Sequence, residues 1–313
     1  MENIVVLGSI NMDLVIGAER APESGETLYG SNFQTIPGGK GANQAVAIAR
    51  QGVNINMIGR VGNDVLGDIL IEKLAENNIG VSHIKKDDSV STGIALIVVE
   101  KNGQNRIIVV AGANGQVNYK DIDEVEDLFE NCDYLVLQLE TPLPTVVYAI
   151  NKAKSKKIYT VLNAAPAPIL PFDMTILRKI DYLIVNESEA QVISGREVKD
   201  QKSAFEVAKT LQEETKGTII LTLGEQGAVT ADGKEVWHTP AIKVDVVDTT
   251  AAGDAFVGGL VVALHEGNTH KEAVRYACTA GSLAVTKFGA QPSLPTKEET
   301  QSFIVINQKI KNN

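Results

Sequence analysis

Val247-Asp248-Thr249-Thr250-Ala251-Ala252-Gly253-Asp254 runs directly into the helical pattern Ala255–Leu264. The apolar run Ile242–Val247 reads as a strand, the small residues after it as a turn, and the remainder as a helix. A helix start presents unpaired N–H groups with partial positive charge, so this turn is a candidate anion site. Ala251, Ala252 and Gly253 have side chains small enough for a phosphate to reach the backbone. Asp254 stands where that anion would lie. As a preferred capping residue it has a plain reading, that of a helix cap. The small residues before it favour a phosphate site with a carboxylate base alongside. Such a pairing suits phosphoryl transfer to an alcohol: the carboxylate accepts the hydroxyl proton, and backbone dipoles hold the charge spread over the group in flight.

The same alternation extends along the whole chain. Strands are expected at Ile4–Gly8, Asn56–Gly59, Tyr134–Leu139, Ile158–Leu162, Tyr182–Asn186 and Thr218–Leu223. Helices are expected at Gly41–Arg50, Val65–Asn77, Leu143–Lys154, Ala204–Glu214 and Lys271–Thr286. Within Gly41–Arg50 the apolar residues Ala42, Ala45, Val46 and Ala49 fall on one helix face. Strands that are apolar at successive positions are those covered on both faces. The pattern predicts an α/β fold, a doubly wound, mostly parallel sheet flanked by helices with right-handed crossovers.

One region breaks that rhythm. Gly93–Val99 and Arg106–Val110 are β-rich and joined by Lys101-Asn102-Gly103-Gln104, a strong hairpin signal. Gly25–Pro37 also leans to β structure. The expectation is one domain over residues 1–313 carrying a small antiparallel β lid, formed by insertions near 11–37 and 93–110.

Composition narrows the partners. The 313 residues carry 29 Lys+Arg against 39 Asp+Glu, a net charge of −10, which disfavours duplex DNA or an anionic membrane as partner. No stretch approaches the roughly 20 consecutive apolar residues of a membrane span. The start of the chain enters Ile4-Val5-Val6-Leu7 without a basic leader or signal core, and two cysteines, Cys132 and Cys278, make no disulfide framework. A cytoplasmic location is expected.

Two further glycine-rich turns precede helices or end strands. Pro37-Gly38-Gly39-Lys40-Gly41-Ala42-Asn43-Gln44 would let backbone N–H groups touch a ligand, with Asn43 long enough to reach hydroxyls. It is no Walker loop, since Gln34 and Gly41 occupy positions that motif reserves for Gly and Ser or Thr. Leu221-Thr222-Leu223-Gly224-Glu225-Gln226-Gly227 ends a strand at the edge where open α/β sheets bind ligands. Either cluster alone also reads as a tight turn. Asn11, Asp13, Glu140, Asn186 and Glu189 follow strands, and each alone reads as a loop residue or cap. Together they offer acceptors for a polyhydroxyl substrate and oxygens for Mg²⁺ or its waters.

Taken in order, these segments resemble the ribokinase-like family of sugar kinases. The resemblance rests on Gly8-Ser9-Ile10-Asn11-Met12-Asp13, Gly38 to Ala45, Asn186-Glu187-Ser188-Glu189-Ala190, Leu221-Thr222-Leu223-Gly224, Asp248 to Asp254 and Gly289-Ala290-Gln291-Pro292-Ser293. It spans nearly the whole chain, and the Asp-Thr-x-Ala-Ala-Gly-Asp run is highly specific. It implies ATP-dependent phosphorylation of the 5-hydroxyl of D-ribose, with Asp254 as catalytic base and an anion hole at Ala251, Ala252 and Gly253. Asn11, Met12, Asp13, Gly39, Lys40, Gly41, Ala42, Asn43 and Glu140 would line the sugar site. Asn186, Thr222, Leu223, Gly224, Glu225, Gln226, Gly227, Gly253 and Cys278 would meet the nucleotide, and Glu189 would organise Mg²⁺ through water. A K⁺ site would fall at Asp248, Thr250, Ala284, Lys287, Gly289 and Ser293, several of them through carbonyls. A homodimer formed through the lid is also implied.

Two positions depart from the family: Cys278 stands where His or Asn is usual, and Asn163-Ala164-Ala165-Pro166 has Ala in place of a common Pro. The rivals are a kinase for another sugar or nucleoside, and a non-catalytic sugar or nucleotide sensor, which retention of Asp254 opposes. A nicotinamide dehydrogenase lacks its glycine fingerprint, because Gly8-Ser9-Ile10 does not supply it. His83, His238, His265 and His270 have no zinc-ligand spacing, and Trp237 reads as an edge-strand aromatic.

Overall fold

The computed structural model describes residues 3–168 and 174–312. The apolar runs form a 10-stranded sheet. Its parallel part comprises β1 (Asn3–Leu7), β4 (Ile55–Gly62), β9 (Cys132–Leu137), β10 (Tyr159–Asn163), β11 (Tyr182–Asn186) and β12 (Thr218–Thr222), with short β5 (Ile79–Gly80) and β6 (Ile84–Asp87) beside β4. An antiparallel hairpin, β13 (Ala228–Ala231) and β14 (Val236–Thr239), closes the other edge and carries Trp237. Side chains alternate between two cores: Ile4 and Val6 join one, Val5 and Leu7 the other, and all four are fully buried. A strand buried on both faces needs apolar residues at every position, which is why its sequence shows no alternation.

Helices cover both faces. One face bears α1 (Lys40–Arg50), α2 (Val65–Glu76), and later in the chain α9 (Ala252–His265) and α10 (His270–Ala284). The other bears the short α3 (Tyr119–Asp123) and α4 (Glu126–Glu130), then α5 (Leu143–Ser155), α6 (Met174–Leu177), α7 (Glu187–Ser194) and α8 (Gln201–Thr215). Short α11 (Ala290–Ser293) and α12 (Lys297–Asn312) end the chain. Among the described residues no helix is long and apolar enough to cross a membrane.

The four-stranded second sheet has the order β3 (Asn32–Gly38), β2 (Asn11–Ala18), β7 (Gly93–Glu100), β8 (Asn105–Val110). Its outer pairs are antiparallel and its central pair, β2 with β7, is parallel, so two separate excursions of the chain zip together. The turn between β7 and β8 has Gly103 at φ 83°, a conformation that costs glycine little.

The expected strand Ile242–Val247 is absent. Here the chain has passed β14 and finds no strand to pair with; Val247 N–H donates instead to Val285 O (2.8 Å) at the end of α10. Val246 and Val247 are each 61% exposed, so an apolar run gave a strand signal without strand burial.

Candidate active site

Two close approaches of backbone bring the site together. A Cβ at Gly41 would lie 2.6 Å from Gly8 C and Ser9 N, so the start of α1 presses on the end of β1. A Cβ at Gly258 would lie 2.5 Å from Ala47 Cβ, so α9 crosses α1 at a distance that only glycine permits. These contacts place the N-termini of α1 and α9 side by side above the carboxyl ends of β1, β9 and β10.

Asp254 lies in the first turn of α9 and is 6% exposed. Its Oδ2 accepts from Asn43 Nδ2 (3.0 Å) and its Oδ1 from Gln44 Nε2 (3.0 Å). It makes no capping bond, which excludes the plain reading of a helix cap. Burial raises its pKa above the ordinary carboxylate value, against the Lys40 ammonium and the two amide donors, and with Glu140 adding to the rise. No side chain caps α9; Ala251, at φ 60°, turns the chain into the helix. Gly253 is exposed, has no positive φ, and would meet nothing within 4 Å if it gained a Cβ. Nothing in the fold requires glycine there, whereas a ligand drawn to the helix N-terminus would.

Around Asp254 lie the hydroxyl acceptors. Glu140 Oε2 accepts from Ser9 Oγ (2.5 Å) and Lys40 N (3.1 Å), tying the β1 loop to α1. Burial works against the Lys40 ammonium, but the carboxylates of Asp254, Glu140 and Glu189 outweigh it and raise its pKa. Asp13 sits within β2, and its carboxylate makes no hydrogen bond among the described residues; it lies against Gly38, where a Cβ would come within 2.4 Å of its Oδ2. Burial, then Glu140 and Asp254, push its pKa to about 7. Asn43 Oδ1 is buried without a partner. Such an orphan acceptor, lying beside Asp254, is free to accept from a ligand hydroxyl. Met12 and Ala42 have side chains in the core, at 2% and 0% exposure, so only their backbone can face a ligand. Gly39, at φ 89°, makes the turn into α1.

Sequence reasoning missed Asn114. It is 1% exposed; its Oδ1 accepts from Ile10 N (2.8 Å) and its Nδ2 donates to Ile10 O (3.1 Å) and Asn11 Oδ1 (2.7 Å). It therefore clasps the root of the small sheet, where Asn11 pairs with Gly93. In Gly112-Ala113-Asn114-Gly115 it reads only as a turn residue.

Farther along the sheet edge, Asn186 and Thr222 are register partners on β11 and β12. Asn186 caps α7 in a reciprocal pair with Glu189, Asn186 Oδ1 accepting from Glu189 N (2.8 Å) and Glu189 Oε2 from Asn186 N (2.9 Å). Burial raises the Glu189 pKa, opposed by that N–H and by Lys40. After Thr222, Leu223 is buried, Gly224 (φ 53°) opens a short 3₁₀ turn with Glu225 and Gln226 exposed, and Gly227 (φ 97°) ends it against Thr239 O. Cys278 lies beneath that same Thr239, 5% exposed, with its thiol pushed up to about 12 by burial. It is no reactive nucleophile.

Beside the α9 turn, Asp248 Oδ1 accepts from Thr250 N (2.9 Å) and Thr250 Oγ1 (2.6 Å), and Oδ2 from Gly289 N (2.9 Å). Burial opposes ionisation, but these bonds outweigh it and hold the carboxyl below its usual range. Lys287 Nζ turns away to Glu299 (2.6 Å), and Ser293 Oγ donates to Ala290 O (2.8 Å).

A buried carboxylate at an uncapped helix N-terminus, with further carboxylates and amides around it, suits an enzyme that moves phosphoryl groups to alcohols. The sequence profile of the pfkB family carbohydrate kinases matches residues 1–297, and the chain belongs to that family. It is 39% identical over 303 residues to a ribokinase of Haemophilus influenzae, covering 97% of this chain and 98% of the relative. The solved ribokinase of Thermotoga maritima superposes with a TM-score of 0.89 at 35% identity, over 97% of this chain and 99% of that one. The ribokinase of Arabidopsis thaliana, solved with ribose and ATP, gives 0.88 at 29% identity and the same coverage.

Proposed function

We propose that the protein transfers the γ-phosphoryl group of ATP to the 5-hydroxyl of D-ribose, giving D-ribose 5-phosphate and ADP. The observation that carries this reading is Asp254 at the open head of α9, held beside the orphan Asn43 Oδ1. Asn11, Asp13, Gly39, Asn43 and Glu140 would hold the sugar, and Asp254 would take the 5-hydroxyl proton as the oxygen attacks. The N–H groups of Gly253 and Asp254 at the start of α9, with Lys40, would hold the charge of the moving group, while Ala252 N–H is already engaged by Thr249 O (3.3 Å). Asn186, Thr222 and the turn to Gly227 would bind the nucleotide.

Glu189 suits Mg²⁺ shared with the ATP phosphates, since a lone carboxylate with waters and phosphate is a usual magnesium environment. When bound, the ion neutralises phosphate charge. Asp248, bonded to Thr250 and to Gly289 N–H, would offer oxygen ligands and one negative charge together with Thr250, Ser293 and the carbonyls of Ala284, Lys287 and Gly289, a set that suits K⁺. An ion there would stiffen the turn that leads into Ala251. The decisive experiment measures ADP release with pentoses, 2-deoxyribose, hexoses and nucleosides, with and without potassium. D-ribose should be turned over fastest, and potassium should activate more than sodium. A hexose or nucleoside preferred over ribose would replace the acceptor; equal rates in both salts would remove the cation site.

Sugar binding should depend on pH through Asp13. An ionised carboxylate accepts hydroxyl hydrogen bonds; a protonated one loses that capacity. With its pKa near 7 in the free protein, kcat/KM for ribose should fall as pH drops through neutrality. Asp13→Asn should flatten that limb; an unchanged profile would remove Asp13 from the sugar site.

The small sheet would act as a lid that closes over the sugar and excludes water. Ribose should slow amide exchange in Gly93–Val110; no change would end the lid proposal. Ile107, Ile108, Val109 and Val110 are 48–65% exposed along β8, an edge strand that a second copy of the chain would cover. A monomeric mass in solution would refute that homodimer. Two unpaired cysteines suit a reducing, cytoplasmic compartment.

A further inference from the structure

Asn43 reaches Asp254 beside an open acceptor atom, but Gln44 reaches it from the protein interior and is fully buried. Gln44 Nε2 donates to Asp254 Oδ1 (3.0 Å) and to Asn163 Oδ1 (3.1 Å), while its Oε1 accepts from Gln138 Nε2 (2.6 Å). Only the amide nitrogen can face a carboxylate, so the direction of the whole chain is fixed. Gln138 follows β9 and Asn163 ends β10, neighbouring strands whose last paired residues are Leu137 and Leu162. Asn163 is anchored in turn to Ile184 O (3.4 Å). Gln138 is 1% exposed, and its Oε1 would lie 2.1 Å from a Cβ at Gly8, so glycine at 8 makes room for it. Two buried amides, Gln138 and Asn163, thus hold a third, Gln44, against one carboxylate oxygen.

We propose that Gln44, held by Gln138 and Asn163, is a positioning residue for Asp254. It fixes the carboxylate plane, leaves Oδ2 with Asn43 as the face toward the acceptor hydroxyl, and favours the charged form of the buried group by donating to it. The proposal rests on Asp254 being the base. The charged groups facing Asp254 are Lys40 from α1, Glu140 beyond β9 and Asp13 from β2. Without Gln44, burial and two carboxylates would be opposed only by Lys40 and Asn43.

The test is kcat and KM for ribose and ATP across pH, for the wild type, Gln44→Met, Gln138→Met and Asp254→Asn. A hydrogen bond to a charged group corresponds to about one to two pH units, so the acid limb of kcat should move up by that amount in Gln44→Met. Activity lost at the acid end should be recovered as pH rises, with both KM values within a few-fold. Gln138→Met, which touches no reacting group, should move the limb in the same direction by less, and it carries the test alone if Gln44→Met does not fold. A uniform loss at every pH, or an unmoved limb, overturns the positioning role even while Asp254→Asn is inactive. A limb that moves in Gln44→Met alone overturns the part given to Gln138. Full activity in Asp254→Asn would overturn the base itself.

Discussion

Asp254→Asn should lower kcat by about 10² to 10⁴-fold, the usual worth of a general base, while ribose affinity stays within a few-fold. The side chain keeps its size, so packing at the head of α9 is retained. It loses the proton acceptor and one of its two acceptor oxygens, leaving Asn43 Nδ2 or Gln44 Nε2 facing an NH₂ group. The sugar contacts proposed for Asn11, Asp13 and Glu140 do not pass through this carboxylate, which is why KM should be spared. Steady-state kinetics with calorimetric ribose binding separates the two effects; near-normal turnover would place the base elsewhere.

Gly253→Leu should show the opposite split between activity and stability. A Cβ at this exposed position meets nothing within 4 Å and needs no unusual φ, so folding should be unharmed. Replacing glycine within a helix should even add about 0.5–1 kcal/mol. Yet the new side chain would fill the space before the free N–H groups of α9, the proposed seat of the transferring phosphoryl group. Loss of such backbone stabilisation typically costs about 10² to 10³-fold in kcat. Thermal unfolding and kinetics on one preparation read both numbers. A stable variant with normal turnover would mean that the helix N-terminus is not the anion site.

Much of the fold could be read from the chain, because buried parallel strands and amphipathic helices write themselves as local periodicities. Tyr182–Asn186 and Leu143–Ser155 show this plainly. Ile242–Val247 misled for the same reason: hydrophobicity signals burial, but whether a neighbour stands ready to pair is a property of the topology. The hairpin β13–β14 was harder to read because Ala228–Ala231 and Val236–Thr239 are only four residues each.

The site divides similarly. Asp254 and its small-residue turn are contiguous, so their chemistry is legible in eight residues. Gln44, Gln138, Asn163 and Asn114 act across separations of roughly a hundred residues, which no local pattern encodes. A faint trace did exist. Gln44 interrupts the alanine-rich buried face of α1, and Gln138 interrupts Leu135-Val136-Leu137 and Leu139. Amides in apolar runs must find partners, but the sequence does not say which.

The position of the Asp254 carboxylate relative to bound sugar decides whether it is the base. A crystal structure with D-ribose and a non-hydrolysable ATP analogue measures that distance. The expected result is an Asp254 oxygen within hydrogen-bond reach of the 5-hydroxyl, with the γ-phosphate before the N–H groups of Gly253 and Asp254. A 5-hydroxyl bonded to another group, with Asp254 engaged only by Asn43 and Gln44, would contradict it.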